Sequence, residues 1–447
     1  MIPAARVAAA IEVLEIADRE KAPADRVLAD FYRRRRRYAG SKDRAAINGQ
    51  VYGVTRRRIR LDWWLARLGA EMTPRSRVIA DLMLVDGASS EGLSALFDGS
   101  THGPAELTEA EWAISDGLQG QSLEHPEAPD WVRLECPEWI AARLAPSLGE
   151  RLESCLKALA EEASFDLRLN PIITSDRDAV RAALAKAGLE TEPTPYSPLG
   201  LRATARRRIE GMKPFKNGVI EVQDEGAQLA SLLVAARPGM QVADFCAGAG
   251  GKTLLMAAGM ENKGRVLAMD VAEGRLNRAA PRVARAGLHN VERRVLKSEE
   301  DRFLKRWTRR FDRVLVDAPC TGLGTWRRAP EARMRYGEAD MAGMTALQDR
   351  ILSSAARLTK PGGRLVYVTC SLLPEENQDR VNALLARRDD YRVLPAAAVW
   401  AETITAIGGP ECPEFGDFLA LTPDRHGTDG FFVAVLERSE NAAEDGM

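Results

Sequence analysis

A chain of 447 residues is longer than one hydrophobic core usually supports, so two or three domains are expected. Hydrophobic residues make up 45% and charged residues 28% of it, an ordinary globular balance that excludes low-complexity classes. No apolar run approaches the roughly 20 residues of a bilayer span, and Glu12, Glu15, Asp18 and Glu20 give the apolar N-terminus a helical rhythm unlike a signal peptide, so a cytoplasmic protein with no membrane partner is expected.

The six cysteines (Cys136, Cys155, Cys246, Cys320, Cys370 and Cys412) lie far apart and form no CxxC pair. That spacing speaks against a disulfide framework and against a zinc site, and no metal is expected. Each thiol is then either a buried small apolar group or a reactive one.

Up to about residue 120 the pattern is helical. VAAAIEVLEIA, DRVLADFYRR, RAAINGQVYGVTRRRIRLDWWLARLG and RSRVIADLMLVDG carry apolar residues at three- and four-residue spacing, and Thr73 with Pro74 opens one helix as cap and first residue. The net charge of −1 hides a cationic concentration here: Arg33 to Arg37 without a break, then Lys42, Arg44, Arg56, Arg57, Arg58 and Arg60, opposed nearby only by Asp30 and Asp43. One such run is equally well a solvated helix face. Two in one short domain are expected to meet a polyanion, because neutralising phosphates releases counterions. DNA and RNA are not separated by this signal.

Residues 99–137, rich in Gly, Pro and acids, read as a loop-bearing linker. A small α+β module follows: the helix EWIAARLAPSLGERLESCLKAL, the strand FDLRLNP, the helix RDAVRAALAKAGL, a Pro-rich turn and the basic Arg206 to Arg208. From Val219 strand and helix alternate. QVADFC, RVLAMD, FDRVLVDAP and GRLVYVTC read as strands, separated by the helices KTLLMAAGM, GRLNRAAPRVARAG and MTALQDRILSSAARLT. Such alternation predicts a parallel, doubly wound α/β sheet, with ligands at the carboxyl ends of its strands.

DFCAGAGGKT, Asp244 to Thr253, ends one of these strands and opens a helix, and Gly248, Gly250 and Gly251 allow a tight turn and close approach of a ligand. Asp270 ends the next strand, where a carboxylate can accept both hydroxyls of a ribose. A P-loop requires glycine where Cys246 stands, and the G-x-G-x-x-G spacing of a dinucleotide site is not met after Gly248 and Gly250. A nucleoside-bearing ligand without pyrophosphate fits better, S-adenosylmethionine being the common one; an ordinary tight β–α turn is the alternative.

LVDAPCTGLGTWRRAPEAR puts Asp317 and Cys320 at the end of one buried strand, and VYVTCSLLPEEN puts Cys370 at the end of the next. Two cysteines on adjacent strand ends are expected to converge on one cleft. With these motifs in view, the chain resembles the RsmB/NOL/NSUN family of RNA cytosine-5 methyltransferases. DFCAGAGGKT is similar to its D-x-C-A-A-P-G-G-K-T, DAPCTGLGTWRRAP to its D-A-P-C-S-G-x-G with R-R-x-P, VTCSLLPEEN to its T-C-S-x-x-x-x-E-N, and HGTDGFFVA to its closing D-G-F-F strand. GVIEVQDEGAQL, DLRLNP and the helical N-terminus resemble further parts of bacterial RsmB-type members, the last being similar to a NusB-like domain. Gly248 and Ala249 depart from the Ala-Pro of the family, and Ser298 stands where its adenine-holding aspartate is usual.

The resemblance implies a multidomain chain: an all-α NusB-like RNA-binding domain at 1–135, a small α+β RNA-binding module at 136–217, a Rossmann-like class I methyltransferase domain at 218–438, and a flexible tail at 439–447. It implies S-adenosylmethionine as cofactor, held by Cys246, Ala247, Gly248, Ala249, Gly250, Gly251, Lys252, Asp270 and Asp317. It implies RNA as partner, ribosomal first and transfer RNA second, and a monomeric enzyme is expected. Cys370 is then the nucleophile at carbon 6 of cytosine, Asp317 the partner of nitrogen 3 and the exocyclic amine, and Cys320 the helper in removing the carbon 5 proton and releasing the product. Lys252 lowers a thiol pKa or orients Asp317, and Arg327 and Arg328 hold RNA phosphates. The target base must leave its stack to be reached. DNA cytosine methyltransferases draw their nucleophile from a P-C motif followed by E-N-V, whereas here E-N follows T-C. A non-catalytic RNA-binding protein is the other alternative, and retention of both cysteines with Asp317 argues against it.

Overall fold

The computed structural model describes residues 1–35 and 39–440; Arg36 and Arg37 of the N-terminal run, and 441–447 of the expected tail, lie outside the described residues. Contacts divide the chain into two units, Met1–Glu161 with Trp326–Glu338, and Glu162–Thr325 with Ala339–Met447.

The first unit is helical. α1 (Pro3–Glu20), α2 (Ala24–Arg34), α3 (Ser41–Arg56), α4 (Arg58–Arg67) and α5 (Pro74–Leu84) follow the apolar periodicity, burying Val7, Ala10, Ile11 and Leu14 of α1 against Ile47, Val51 and Val54 of α3. Thr73 caps α5, its hydroxyl accepting the Ser76 N–H, with Pro74 at the first helical position. The stretch from Arg44 to Gly69 is not one helix, for the chain breaks at Arg57, whose guanidinium forks onto the Asp81 carboxylate at 2.6 and 3.0 Å.

The expected linker at 99–137 holds part of this core. After α6 (Ser90–Leu96), α7 (Glu109–Leu118) packs Ile114 and Leu118 into the same cluster as α1 and α5. Its start is a reciprocal cap: Thr108 Oγ1 accepts the Glu111 N–H at 3.3 Å while the Glu111 carboxylate accepts the Thr108 N–H at 2.9 Å. That T-x-x-E signal stood in the sequence, outweighed by the surrounding Gly, Pro and acids. By contact the helices Glu138–Leu148 and Leu152–Ala160, separated at Gly149, group with this unit.

The second unit carries two sheets. The smaller is antiparallel in the order β2 (Thr191–Pro193), β3 (Gly200–Ala203), β1 (Phe165–Leu169), β4 (Ile220–Val222). Asp166 of β1 and Arg202 of β3 are cross-strand partners joined by hydrogen bonds of 2.8 and 3.0 Å. β2 and β3 are three and four residues long, too short for an alternation to register in sequence.

The larger sheet orders its strands β10 (Tyr391–Leu394), β12 (Phe431–Arg438), β9 (Thr359–Thr369), β8 (Phe311–Asp317), β5 (Gln241–Asp244), β6 (Arg265–Asp270), β7 (Val291–Val295), with β11 (Leu419–Leu421) on β12. The run from β9 to β7 is parallel, but β12 lies antiparallel between β9 and β10, so the sheet is mixed and not the wholly parallel one expected. Strand direction was illegible because β12 is buried on both faces, and a continuous apolar run reads alike either way. Strand order reverses between β5 and β8, the position in an open α/β sheet where loops diverge and leave a crevice.

Candidate active site

Four strands deliver acids or thiols to that crevice. β5 ends on Asp244, β6 on Asp270 and β8 on Asp317, and Cys370 directly follows β9. Each is the residue at which a buried apolar run stops, so the same sequence feature that ends the strand sets a polar side chain at the carboxyl edge of the sheet.

Between β5 and the helix Gly251–Gly259 runs the glycine loop. Gly248 adopts φ +54°, and a Cβ there would lie 3.0 Å from the Arg275 guanidinium, so backbone conformation and space both favour glycine. The loop's Gly248 N–H donates to Asp270 Oδ2 at 2.7 Å, and the Ala272 N–H to Oδ1 at 2.7 Å, fixing the carboxylate of Asp270 beside the loop. Arg282 donates to the Ala249 carbonyl at 2.6 Å. Asp244 is 1% exposed and receives the Thr253 hydroxyl at 2.6 Å on Oδ2, while its Oδ1 is buried without a hydrogen-bond partner. Burial pushes this carboxyl up to about 7, against the Thr253 hydrogen bond and with the charge of Asp317 adding to the rise. An orphaned acceptor beside a glycine cradle suits a ligand that brings its own donor or positive charge. Burial, and then the charges of Asp270, Asp317 and Asp244, push the Cys246 thiol well above its ordinary value, so it stays protonated and packs as an apolar group.

Lys252, at the start of the same helix, reaches Asp317 Oδ2 at 2.7 Å with its side chain 10% exposed. Burial works against its ammonium, but Asp317, by charge and hydrogen bond, then Cys370 and Asp244, outweigh it and leave the pKa above the ordinary value. The two cysteines converge as expected: Cys320 and Cys370 Sγ atoms stand 3.5 Å apart and both are part-exposed. The Cys320 thiol is held well above its usual range by the hydrogen bond with Cys370, then burial, then the charges of Cys370 and Glu376. One thiol of the pair therefore stays protonated while the other faces a fixed ammonium.

Ser298 accepts the Glu300 N–H in its own turn, and Glu299 pairs with Arg350 at 2.6 Å. Arg327 is 8% exposed in the helical unit and so is not presented to phosphates. The second cationic cluster is internally neutralised: Arg57 by Asp81, Arg58 by Asp18, Arg60 by Glu135 and Glu124. Sequence proximity shows only Asp30 and Asp43 as counter-charges, whereas the acids that matter lie 24 to 75 residues away. Residues not singled out from sequence are Asp244, Arg275 and Arg282 at the glycine loop, and Glu376 behind the cysteines; for Glu376 the E-N of VTCSLLPEEN was the available signal.

The sequence model of the family described as 16S rRNA methyltransferase RsmB/F matches residues 231–437, and that of the RsmF/B-like ferredoxin-like domain matches 136–210. The chain is 31% identical to ribosomal RNA small subunit methyltransferase B of Klebsiella pneumoniae strain 342 over 420 residues, 90% of this chain and 91% of that protein. Its counterpart in Citrobacter koseri is 31% identical over 417 residues, 88% and 91% of the two chains. Among solved structures, PH0851 superposes with a TM-score of 0.79 at 26% identity, covering 98% of this chain and 99% of that one. A methyltransferase homologue from Pyrococcus horikoshii does so at 0.58 and 30% identity, covering 69% and 97%. The larger sheet is thus a Rossmann-like methyltransferase sheet and the smaller a ferredoxin-like one, and the glycine cradle with its orphaned Asp244 acceptor suits the amine- and sulfonium-bearing donor of such enzymes. The chain belongs to the RsmB/F family of S-adenosylmethionine-dependent 16S rRNA methyltransferases.

Proposed function

We propose that this protein methylates carbon 5 of a cytosine in small-subunit ribosomal RNA through a covalent adduct on Cys370. The observation that carries this reading is the pair of thiols 3.5 Å apart beside the Lys252–Asp317 ion pair. Carbon 5 of cytosine is too weak a nucleophile to take a methyl group unaided, and one thiolate with a second, protonated thiol meets that need.

The thiolate of Cys370 forms a bond to carbon 6, and the carbon 5–carbon 6 π pair becomes available at carbon 5. S-adenosylmethionine, when bound, supplies an electrophilic methyl group. Asp317, oriented by Lys252, accepts from the exocyclic amine, and from nitrogen 3 once that nitrogen takes up a proton from solvent as carbon 6 is attacked, and so stabilises the added ring. After methylation the carbon 5 proton passes to solvent beside Cys320, its bonding pair re-forms the carbon 5–carbon 6 double bond, the sulfur–carbon 6 pair returns to Cys370, and the base is freed. Asp270 accepts the ribose hydroxyls, and Gly248 to Gly251 let the cofactor approach the backbone. The helical N-terminal region, similar to a NusB-like domain, and the module at 136–217 bind the RNA, and the chain works as a monomer.

The test separates the cysteines. Cys370→Ser forms no adduct and is inactive, since a hydroxyl supplies almost no anion near neutral pH. Cys320→Ala still adds to the base and stalls as an enzyme–RNA adduct, seen as a retarded band on a denaturing gel. Adduct with Cys370→Ser but not Cys320→Ala reverses the roles, and full activity in both variants overturns the covalent mechanism. Bisulfite sequencing of RNA from a deletion strain tests the substrate, the expected loss being one site in small-subunit ribosomal RNA.

A further inference from the structure

Behind the two cysteines lies a carboxylate that the proposed chemistry leaves unused. Glu376 follows Cys370 by six residues and is 0% exposed. Its hydrogen-bond donors are all neutral: the Thr321 N–H at 2.9 Å and Gln348 Nε2 at 3.0 Å on Oε1, and the Thr321 hydroxyl at 2.6 Å on Oε2. Gln348, also 0% exposed, donates as well to the Pro319 carbonyl at 2.9 Å. Pro319 and Thr321 flank Cys320, so one side of that cysteine is tied directly, and the other through Gln348, to one carboxylate on the segment that follows Cys370. Ser371 completes the clamp, its hydroxyl 3.3 Å from that of Thr321, and Asn377 donates to the Ser371 carbonyl at 3.0 Å while accepting the Thr369 hydroxyl.

A glutamine could make all three contacts without bringing a charge into a dry interior, where an anion without a cation is costly. The charge is the part of Glu376 that packing does not account for. Glu376 is hydrogen-bonded to Thr321, the residue after Cys320, and its charge disfavours a Cys320 thiolate, whereas the ammonium of Lys252, itself paired with Asp317, is drawn to a charged Cys370; the Tyr367 hydroxyl donates to the Glu376 carbonyl at 2.7 Å. Removing one proton from the pair then leaves the negative charge on Cys370, which the ammonium favours, and the proton on Cys320, whose loop the carboxylate holds.

We propose that Glu376 is a positioning residue that decides which of the two cysteines is the nucleophile: it clamps the Cys320 loop against the Cys370 loop and keeps the pair's remaining proton on Cys320. This rests on the reading of Cys370 as the attacking thiolate. The proton lost in forming the thiolate goes to solvent, and no oxidant or other reactant enters.

The experiment uses the full-length protein under TCEP, alkylated with iodoacetamide across a pH series, with the label on each cysteine quantified by mass spectrometry. In the wild type Cys370 takes the label first and Cys320 only at higher pH. Glu376→Gln, which retains the donors and loses the charge, lowers the Cys320 labelling midpoint by about one pH unit and divides the label between the two thiols. It also lowers kcat by about tenfold while leaving KM for RNA within about twofold. Thr321→Val, a second variant that loosens the clamp and spares the charge, lowers kcat with the Cys320 midpoint unmoved. A Cys320 midpoint and label ratio in Glu376→Gln identical to wild type overturn the proposal. Full methylation by Cys370→Ser overturns instead the reading of the nucleophile, while the labelling in Glu376→Gln still reports on the clamp.

Discussion

Asp244 shows how one residue's surroundings make a testable property of an ordinary acid. Its carboxyl is pushed up to about 7 by burial, above the value it has in the unfolded chain. Through that window the native protein holds a proton the unfolded chain has released, so stability falls as pH rises from about 4 to about 7. The cofactor-free protein is expected to melt at higher temperature near pH 5 than near pH 8, and Asp244→Asn to flatten that difference; equal slopes in calorimetry contradict it. Asp270 makes a separate prediction at the same scale. Its oxygens each accept one backbone N–H, leaving lone pairs for a ribose. Asp270→Ala should weaken cofactor binding by about 1–3 kcal/mol in titration calorimetry, the cost of leaving donors unmatched; wild-type affinity means the carboxylate serves only the loop.

Elements resolve what residues leave ambiguous. Arg33 and Arg57 belong to superficially equal basic clusters, yet α2 leaves Arg33 exposed and paired with Asp30, whereas the break before α4 sets a half-buried Arg57 against the buried Asp81. Arg57→Ala strands a carboxylate that is 2% exposed and is expected to cost about 3 kcal/mol in denaturant unfolding. Replacing Arg33 and Arg34 with alanine should leave stability unchanged and reduce the salt dependence of RNA binding by roughly one to two ions. An unchanged salt slope returns those arginines to a plain solvated face. The loop after Cys320 makes a similar point about close approach. Gly324 donates its N–H to the Cys370 carbonyl at 2.9 Å and accepts the Gly430 N–H at 2.9 Å, and a Cβ on it would meet the Gly430 backbone at 2.2 Å. Gly324→Ala is expected to cut methyl transfer by about tenfold with cofactor affinity kept, because the clash displaces the cysteine loops and not the glycine loop. Loss of cofactor affinity in step with activity shows a general collapse instead.

At the scale of the whole molecule, local pattern and local chemistry were determined by the sequence alone. Helical periodicity places α1 to α5 except for the break between α3 and α4, the buried runs ending in polar residues place β5, β6, β8 and β9, and the resemblance of the glycine and cysteine motifs led to the family. These features are legible because each rests on residues within one turn or one strand of each other. Only the tertiary structure decided the antiparallel insertion of β12, the place of α7 in the helical core, the neutralisation of Arg57 to Arg60, and the clamp by Glu376 on Cys320. Each of those is a pairing across tens of residues or more. Strand direction, counter-ion and clamp depend on what the chain brings back to a given point, and spacing along the sequence holds no record of that.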